Sequence, residues 1–372
     1  MSAAGRIGVF GHAGGAAGRL LLGRAPYVYA GFVGAGNLGD EAMFEAIRDH
    51  LALGGPVIAR TGTPTLPLRV AERWGRPSRA RLLLGGGTLI GRRGWIERVE
   101  LALRATHGHS AISVGTGVED PSFQTANPLT DSEELRRWVP VLRNGFHRVT
   151  VRGPRSAEIL GSLGIEAEVI GDPALLNPTT HKQEEFTEGD VVINIGASGP
   201  TWGSQQDLLS HLAEYGKELV RRGLRLRLVV MWHRDLEIAH ELTDRLGDTA
   251  VTIVTPQSPA ELRRELAGAH VVIGQRLHSV VIATAALTPC IALAYRPKCE
   301  DFQMSIGRME FTMRTDQIDV ATLLDLTQDA VDNRPAHVDA LRQEVAGLQG
   351  SLIRTLDETR TLLVSGSIGS TP

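Results

Sequence analysis

The sequence predicts an α/β protein in which two Rossmann-like domains face each other across a cleft. Short apolar runs, for example residues 82–84 and 191–195, alternate with amphipathic helical stretches along most of the chain. The length of 372 residues is more than a single hydrophobic core usually encloses. We therefore expect an N-terminal domain over residues 1–180, a C-terminal domain over residues 181–333, and a helix with a short tail over residues 334–372.

The composition is that of an ordinary globular protein, with 42% hydrophobic and 22% charged residues. The net charge is −3 and the lysines and arginines are spread along the chain, so we expect no nucleic-acid partner. No apolar run approaches the roughly 20 residues of a membrane span, and the N-terminus lacks the pattern of a signal peptide. We expect a cytoplasmic protein. Peripheral association with the inner face of a membrane, the oligomeric state and the role of residues 1–26 stay open.

The two cysteines, Cys290 and Cys299, flank a predicted strand and are interpreted as reduced intracellular thiols rather than as a disulfide framework. They lack the further cysteine and histidine ligands of a zinc site, and the acidic residues do not cluster along the chain. We therefore expect no metal and no cofactor.

The first predicted strand, residues 27–32, leads into a glycine-rich loop with the sequence Gly36-Asn37-Leu38-Gly39-Asp40-Glu41. Glycines let the backbone turn tightly and approach a ligand closely, and such loops often bind phosphate on the amides of the following helix. The loop is neither a Walker A motif nor a dinucleotide-binding fingerprint. Asp40 has two interpretations: it caps the helix, or it takes part in catalysis.

Glycines also follow later strands of the first half. Gly85-Gly86-Gly87-Thr88 follows residues 82–84, and three successive glycines indicate close backbone approach to a ligand or to another segment. Arg152 stands at the end of a strand at residues 148–151. The remaining predicted elements are helices at residues 95–105, 131–142 and 155–163 and strands at residues 111–114 and 168–170.

A polar, unpatterned stretch at residues 177–189 is the expected linker to a second series of strands and helices. Strands are predicted at residues 191–195, 224–231, 250–254, 271–274 and 290–294, and helices at residues 205–222, 239–246, 259–267 and 279–287. An amphipathic helix at residues 334–363 is expected to pack on the first domain, and residues 365–372 are expected to form a disordered tail.

Three side chains that can carry positive charge stand at strand ends in the second half. Arg276 and His278 follow the strand at residues 271–274, and Lys298 follows the strand at residues 290–294. Ligands of open α/β sheets bind beyond the carboxyl ends of the strands, so these side chains predict a site for an anion. A solvated arginine and a structural histidine are the alternative, although both residues lie between apolar runs, where an unpaired charge is costly.

These motifs, in this order, resemble the polysaccharide pyruvyl transferase family from about residue 31 to residue 307. The family's GNxGDE element matches Gly36 to Glu41, and its triple-glycine element matches Gly85 to Thr88. Its Val-Arg pair matches Val151-Arg152, although Gly153 replaces the acid that often follows. Further matches are Asp172-Pro173, Arg276-Leu277-His278 and Tyr295-Arg296-Pro297-Lys298.

The resemblance implies a glycosyltransferase-B-like fold and transfer of pyruvate from phosphoenolpyruvate onto two hydroxyls of a sugar, which forms a cyclic ketal and releases phosphate. The acceptor would be a sugar in a cell-surface polysaccharide or glycolipid precursor, with a lipid carrier left open. The implied catalytic residues are Asp40, His278 and Lys298. The implied donor-binding residues are Arg152, Arg276, Leu277, His278 and Lys298, and the glycine-rich loops contribute Gly36, Asn37, Gly39, Gly86, Gly87 and Thr88.

These residue types suit that chemistry. A guanidinium fork can bind either the carboxylate or the phosphate of phosphoenolpyruvate. Histidine is the side chain best suited to proton transfer near neutrality, which makes His278 the candidate general acid for the enol methylene. Asp40 is the candidate base for the sugar hydroxyls, and Lys298 would neutralise the leaving phosphate. Two other functions stay open: a glycosyltransferase that uses a nucleotide sugar, and a non-catalytic protein that binds anionic glycans.

Overall fold

The protein is described by a computed structural model over residues 18–22, 24–59, 66–74, 80–106, 111–123, 128–176, 187–197 and 199–365. Within these ranges the chain forms two large parallel sheets with helices on their faces and a long C-terminal helix, so the predicted fold class is confirmed. Most of the predicted linker, the first 17 residues and the predicted tail after Ser365 lie outside the described residues.

The first half is built around a five-stranded sheet. In chain order its elements are β1 (Tyr27–Ala30), α1 (Leu38–Leu51), β2 (Val57–Ala59), α2 (Leu66–Trp74), β3 (Arg81–Gly85), β4 (Thr88–Ile90), α3 (Ile96–Ala105), β5 (Ala111–Val114), β6 (Gly117–Val118), α4 (Ser132–Gly145), β7 (Phe146–Arg148), β8 (Thr150–Val151), α5 (Pro154–Ser162), β9 (Glu168–Val169) and a 3₁₀ turn at Pro173–Leu176. The strand order is β2-β1-β3-β5-β7, and two short parallel pairs, β4-β6 and β8-β9, lie beside it.

The second half is built around a six-stranded sheet. Its elements are β10 (Asp190–Asn194), α6 (Gln205–Arg221), β11 (Arg225–Val229), a 3₁₀ turn at His233–Asp235, α7 (Leu236–Leu246), β12 (Val251–Val254), α8 (Pro259–Ala267), β13 (Val271–Gly274), α9 (Leu277–Ala285), β14 (Cys290–Ala294), α10 (Pro297–Ser305), a 3₁₀ turn at Met309–Phe311, β15 (Thr312–Arg314), α11 (Val320–Asp332) and α12 (Arg334–Ser365). The strand order is β12-β11-β10-β13-β14-β15, and every described pair is parallel.

Both strand orders belong to doubly wound folds and determine where a ligand binds. Counted along the chain, the first sheet has the order 2-1-3-4-5 and the second has the order 3-2-1-4-5-6. The order reverses between β1 and β3 in one sheet and between β10 and β13 in the other. Because such sheets bind ligands at this switch point, beyond the carboxyl ends of the strands, the loops after β1, β3, β10 and β13 are the expected site.

The hydrophobic core has three layers, because each strand buries both of its faces. Tyr29 and Leu83 belong to a central cluster between the two sheets, whereas the alternate residues Ala30 and Leu82 belong to a cluster on the outer face of the first sheet. Val192 likewise belongs to the central cluster, and a third cluster covers the outer face of the second sheet. The central cluster therefore joins the two halves.

The C-terminal helix α12 runs across both halves. Near its start, His337 contacts Asp329 of α11 at 3.0 Å. Further along, the Gln349 side chain donates a 2.8 Å hydrogen bond to the Leu175 carbonyl, and Asp357 contacts His50 of α1 at 2.9 Å. At 32 residues the helix is about 48 Å long. None of the described helices combines the length and hydrophobicity that a membrane crossing requires.

Some predicted elements were wrong or missed. The strand expected at residues 148–151 is two short strands, β7 and β8, in different sheets. Helix α10 escaped prediction because its apolar residues do not lie on one face, as it is buried on several sides. Asp40 is not the cap of α1: the cap is Asn37, whose side chain accepts a hydrogen bond from the Gly39 amide.

Candidate active site

The loop after β1 is fixed by hydrogen bonds of Asn37 and Glu41, and Asp40 lies between these two residues in the sequence. Asn37 caps α1 through its 3.2 Å bond from the Gly39 amide. The Glu41 carboxylate accepts a hydrogen bond from the Gly34 amide; burial raises the pKa of Glu41, and the backbone amides of Gly34 and Gly36 oppose that rise. Asn37 and Glu41 therefore shape the loop through one oxygen of each side chain.

Gly39 brings the first half into direct contact with His278. A Cβ atom at position 39 would overlap the Cβ, Cγ and Nδ1 atoms of His278. The absence of a side chain at position 39 is what allows the first turn of α1 to lie against the imidazole. The two switch points thus meet at this contact, which the amide of Leu38 supports by donating a 3.1 Å hydrogen bond to the Met231 carbonyl.

Asp40 lies among the three predicted cationic residues. Burial raises the pKa of its carboxyl, and the charges of His278, Lys298 and Arg276 oppose that rise without cancelling it. No hydrogen bond or ion pair to the Asp40 carboxylate is present among the described residues. The structure therefore brings Asp40, Arg276, His278 and Lys298 together, and a half-buried carboxylate with a raised pKa is a suitable proton acceptor.

His278 faces a second carboxylate, Asp172, which comes from the first half. Their Nε2 and Oδ2 atoms lie 3.6 Å apart, and neither atom has a hydrogen-bond partner in the described part of the chain. Burial would raise the pKa of Asp172, but His278, Arg152 and the Ala174 amide outweigh it, so this pKa lies below its usual value. Asp172 was noted in the sequence only within an Asp-Pro match, and its place opposite His278 was not predicted.

Arg152 is almost wholly buried, at 1% exposure, and holds Asp172 from the other side. Its Nη1 lies 3.6 Å from Asp172 Oδ2, and its Nη2 donates a 3.0 Å hydrogen bond to Thr88 Oγ1. A Cβ at Gly117 would overlap the guanidinium, so this glycine makes room for it. Thr88 thus contacts Arg152 rather than an open cleft.

The triple glycine approaches another segment of the chain. Gly86 and Gly87 have φ values of +68° and +93°, which favour glycine. A Cβ at Gly86 would crowd the Tyr29 hydroxyl, and a Cβ at Gly87 would crowd the Phe32 ring. The motif was expected to approach either a ligand or another segment of the chain. At both positions the structure shows the second, packing against aromatic side chains.

Arg276 is locked in place by Asp235. Its Nε donates to Asp235 Oδ2 at 3.0 Å, and its Nη2 donates to Asp235 Oδ1 and to the Ala197 carbonyl. The guanidinium also lies over the Trp232 ring, 5.1 Å from its centroid. Nη1 makes no hydrogen bond to any described residue, so it is the nitrogen left for an anion. Asp235 and Trp232 were not predicted; the polar run that follows β11 was the available signal.

Leu277 and Lys298 differ in what they can do. The Leu277 side chain is 4% exposed and packs in the central cluster, and its predicted contact with the donor stays a prediction. Lys298 is half-buried in the first turn of α10, with Nζ 5.0 Å from the centroid of the Tyr295 ring. A flexible ammonium at a helix N-terminus is well placed to attract an anion.

Two buried contacts close to Lys298 in the sequence, made by Arg296 and Asp301, join the two halves. Arg296 Nη2 donates to both Glu119 oxygens, at 2.9 and 2.7 Å. The Asp301 carboxylate accepts hydrogen bonds from the amide and hydroxyl of Ser156, at 3.2 and 2.6 Å, and so caps α5 from the other half. A Cβ at Gly153 would overlap Asp301, so the acid that the family often carries after Val-Arg has no room here.

Comparisons with known proteins agree with this arrangement. Residues 37–297 match the family described as polysaccharide pyruvyl transferase. No curated protein sequence matches the chain.

Similarity to solved structures extends over nearly the whole chain. The S. aureus MnaA–UDP complex has a TM-score of 0.60 at 10% identity, over 93% of this chain and 98% of that one. Sucrose-phosphate synthase from Thermosynechococcus elongatus has a TM-score of 0.55 at 14% identity, over 92% and 100%. A mutant of S. aureus TarM has a TM-score of 0.47 at 12% identity over 81% of this chain, which spans only 58% of TarM.

These similarities, at low sequence identity, show a glycosyltransferase-B-like fold, as predicted. The family match covers more than two thirds of the sequence and includes the loop of Asp40, the Asp172 segment and the Arg276-Leu277-His278 motif. The chain belongs to the polysaccharide pyruvyl transferase family.

Proposed function

We propose that this protein transfers pyruvate from phosphoenolpyruvate onto two hydroxyls of a sugar in a cell-surface polysaccharide or glycolipid precursor, forming a cyclic ketal and releasing phosphate. Family membership supports the transfer reaction. The observation that carries the proposal is that His278 lies against Gly39, at the meeting point of the two switch points, and that the charges of Arg276, His278 and Lys298 all act on the neighbouring carboxyl of Asp40. Cations and one acid–base pair are what this reaction needs.

The cluster offers separate contacts for the two anionic groups of the donor. Nη1 of Arg276 can donate to one group, and Lys298, at the N-terminus of α10, can neutralise the other. Arg152 was predicted to bind the donor, but its guanidinium is buried against Thr88 and Asp172. We assign it to holding Asp172 in place opposite His278.

The chemistry balances with the residues present. A first sugar hydroxyl bonds to C2 of the donor while His278 gives a proton to C3, which becomes the methyl group. The C2–O bond to phosphate then breaks, and the second hydroxyl bonds to C2 and closes the ketal. Of the two hydroxyl protons, one replaces the proton given by His278 and the other leaves through Asp40 to phosphate or solvent. The oxocarbenium-like centre forms beside two carboxylates, Asp40 and Asp172, which stabilise positive charge.

A second candidate is an enzyme that acts on a nucleotide sugar. The MnaA–UDP complex, whose fold is similar, contains a nucleotide, and folds of this kind support more than one function. A cationic cluster would also suit a diphosphate.

Ligand stabilisation separates the two candidates. Phosphoenolpyruvate should raise the melting temperature in a concentration-dependent way, because a ligand that binds only the folded state stabilises it by mass action. The control is 3-phosphoglycerate, which carries a carboxylate and a phosphate but no enol. Stabilisation by UDP-N-acetylglucosamine without any by phosphoenolpyruvate would transfer the assignment to the second candidate. Because the proposed groups are all side chains, phosphate release with acceptor present should survive exhaustive EDTA treatment.

A further inference from the structure

A pocket of about 580 Å³ lies in the cleft beside the cationic cluster. Both halves contribute to it from the carboxyl ends of their strands: Asp120, Phe123 and Arg155 from the first, Trp202 and Glu300 from the second. This size and this mixture of aromatic and polar groups are typical of small-molecule sites. None of the residues assigned to donor chemistry lines it.

The first turn of α10 separates the pocket from the cluster. Pro297 and Glu300 line the pocket, three residues apart on one face of the helix. Lys298 lies between them in sequence, and its positive charge lowers the pKa of Asp40, which belongs to the cluster. The segment from β8 into α5 likewise contributes to both sites. Arg152 contacts Asp172 beside the cluster, whereas Arg155 lines the pocket. A ligand in the pocket therefore lies against the same helical turn that carries Lys298.

The charge of the pocket disfavours an anion. Arg155 is neutralised by Asp120 at 2.9 Å and by Glu158 at 2.7 Å. Arg314, the other guanidinium of the pocket, pairs with Asp316 through bonds of 3.0 and 2.7 Å. The half-buried Glu300 carboxylate has no hydrogen bond or ion pair in the described part of the chain, and burial raises its pKa. The pocket thus offers a hydrogen-bond acceptor that lacks a donor, the opposite of the cationic cluster.

The apolar part of the pocket is an aromatic pair assembled across the cleft. Phe123 and Trp202 meet edge to face, with ring centroids 5.4 Å apart. Trp202 is positioned by its amide, which donates a 2.9 Å bond to the Tyr295 carbonyl, and by the Arg314 guanidinium 4.3 Å from its ring centroid. Aromatic side chains supply apolar area against which the C–H groups of a sugar ring can pack.

We propose that this pocket binds the acceptor: a neutral pyranose whose hydroxyls donate hydrogen bonds to Glu300 and whose C–H groups pack on Phe123 and Trp202, with the reacting hydroxyls directed past the first turn of α10. This inference rests on the proposed function. A smaller hollow of about 280 Å³ adjoins the pocket and shares four lining residues with it, Asp120, Ser122, Arg155 and Glu158. It provides room for the next unit of a chain attached to the acceptor.

The test uses saturation-transfer NMR and calorimetry on the full chain with the methyl pyranosides of glucose, galactose, mannose and N-acetylmannosamine. At least one should bind, and Glu300→Gln and Trp202→Leu should each weaken that binding roughly 5- to 50-fold, the range expected for a lost charged hydrogen bond or a lost packing surface. Glu237→Gln, an exposed acid on α7, is the matched control and should leave binding unchanged.

Phosphoenolpyruvate affinity, measured on the same samples, distinguishes the possible failures and also checks that the variants fold. If phosphoenolpyruvate binds equally to wild type and both variants while sugar binding falls, the acceptor assignment holds. If no pyranoside binds, or if binding is insensitive to both substitutions, the assignment is overturned whatever the donor is. If a pyranoside binds through Glu300 and Trp202 but phosphoenolpyruvate does not bind, the sugar site stands and the proposed donor is wrong.

Discussion

Asp172 and His278 come from different halves of the molecule, and their Oδ2 and Nε2 atoms lie 3.6 Å apart with no other hydrogen-bond partner among the described residues. The distance is longer than a direct hydrogen bond and short enough for charges to interact strongly in a buried site. The carboxylate and the imidazole therefore interact through their charges. This interaction exists only while the two halves are close together.

Replacing Asp172 by Asn should slow turnover while leaving donor affinity nearly unchanged. The amide keeps the shape but removes the negative charge that faces the proposed proton donor, so we expect turnover to fall roughly 10²-fold. Phosphate release gives the turnover number, and calorimetry with phosphoenolpyruvate gives the affinity. A merely structural role for Asp172 would weaken binding and lower the melting temperature together, without changing the pH profile of turnover.

Replacing Gly39 by Ala should damage the site more than its single methyl group suggests. The new Cβ would overlap the imidazole of His278, so either the loop or the histidine must move. We expect a destabilisation of about 1–3 kcal/mol and a loss of turnover of roughly 10²-fold or more. Gly161→Ala in α5 is the matched control, because its Cβ meets no atom within 4 Å. Equal effects of the two substitutions would contradict the close contact.

Replacing Asp40 by Asn should abolish turnover and stabilise the fold at neutral pH. Burial raises the pKa of Asp40 in the folded state, so ionising it opposes folding. That cost is absent below the pKa of the unfolded chain, near 3.8, and complete once the pH exceeds the raised folded value. The variant should therefore melt at a higher temperature than wild type at pH 7 and at the same temperature at pH 3. A stabilisation that is the same at both pH values would exclude the ionisation of Asp40 as its cause.

Substitutions of Arg276 and His278 should affect different kinetic constants. Arg276 binds an anion in the ground state as well as in the transition state, so Arg276→Lys should chiefly raise the Michaelis constant for the donor. His278→Gln removes the proton donor and should lower turnover roughly 10²- to 10⁴-fold with donor affinity nearly intact. Steady-state kinetics and direct binding measurements on both variants check this. Near wild-type turnover of His278→Gln at saturating donor would show that another group supplies the proton.

The pair formed by Glu119 and Arg296 should be costly to break from one side only. Glu119→Gln leaves the Arg296 charge buried without compensation, and we expect a loss of about 3–5 kcal/mol in denaturant titrations. Glu119→Leu combined with Arg296→Met removes both charges and should recover part of that loss, because Arg92, which pairs with Glu119 at 3.1 Å, loses its partner in both variants. If the double variant is as unstable as the single one, the unpaired Arg296 charge is not the source of the loss.

The features that the sequence predicted are those that depend on residues close together in the chain: the strands, the helices and the side chains at strand ends. The alternation of apolar runs with helices predicted the doubly wound sheets, and the strand Cys290–Ala294 was placed to the residue. The positions of Asp40, Arg276, His278 and Lys298 at strand ends predicted that they would lie near one another, because the carboxyl ends of parallel strands share an edge.

The partners of these residues could not be predicted, because the contacts join distant parts of the chain. Asp235 lies 41 positions from Arg276, and Glu119 lies 177 positions from Arg296. No local pattern specifies which distant charges will be paired once the chain has folded. The sequence therefore predicted Arg152 as a donor-binding residue, whereas in the structure its buried guanidinium faces Thr88 and Asp172.

The helix α12 and the central cluster have a consequence for how the molecule unfolds. Residues of both sheets and of α12, among them Tyr29, Val192 and Leu352, belong to one continuous apolar cluster. Neither half can be removed without exposing that surface to water, so the two Rossmann-like units should not melt independently. We expect calorimetry to show one cooperative transition, and either half produced alone to aggregate. The two sheets would then be separate topological units that unfold as one thermodynamic unit.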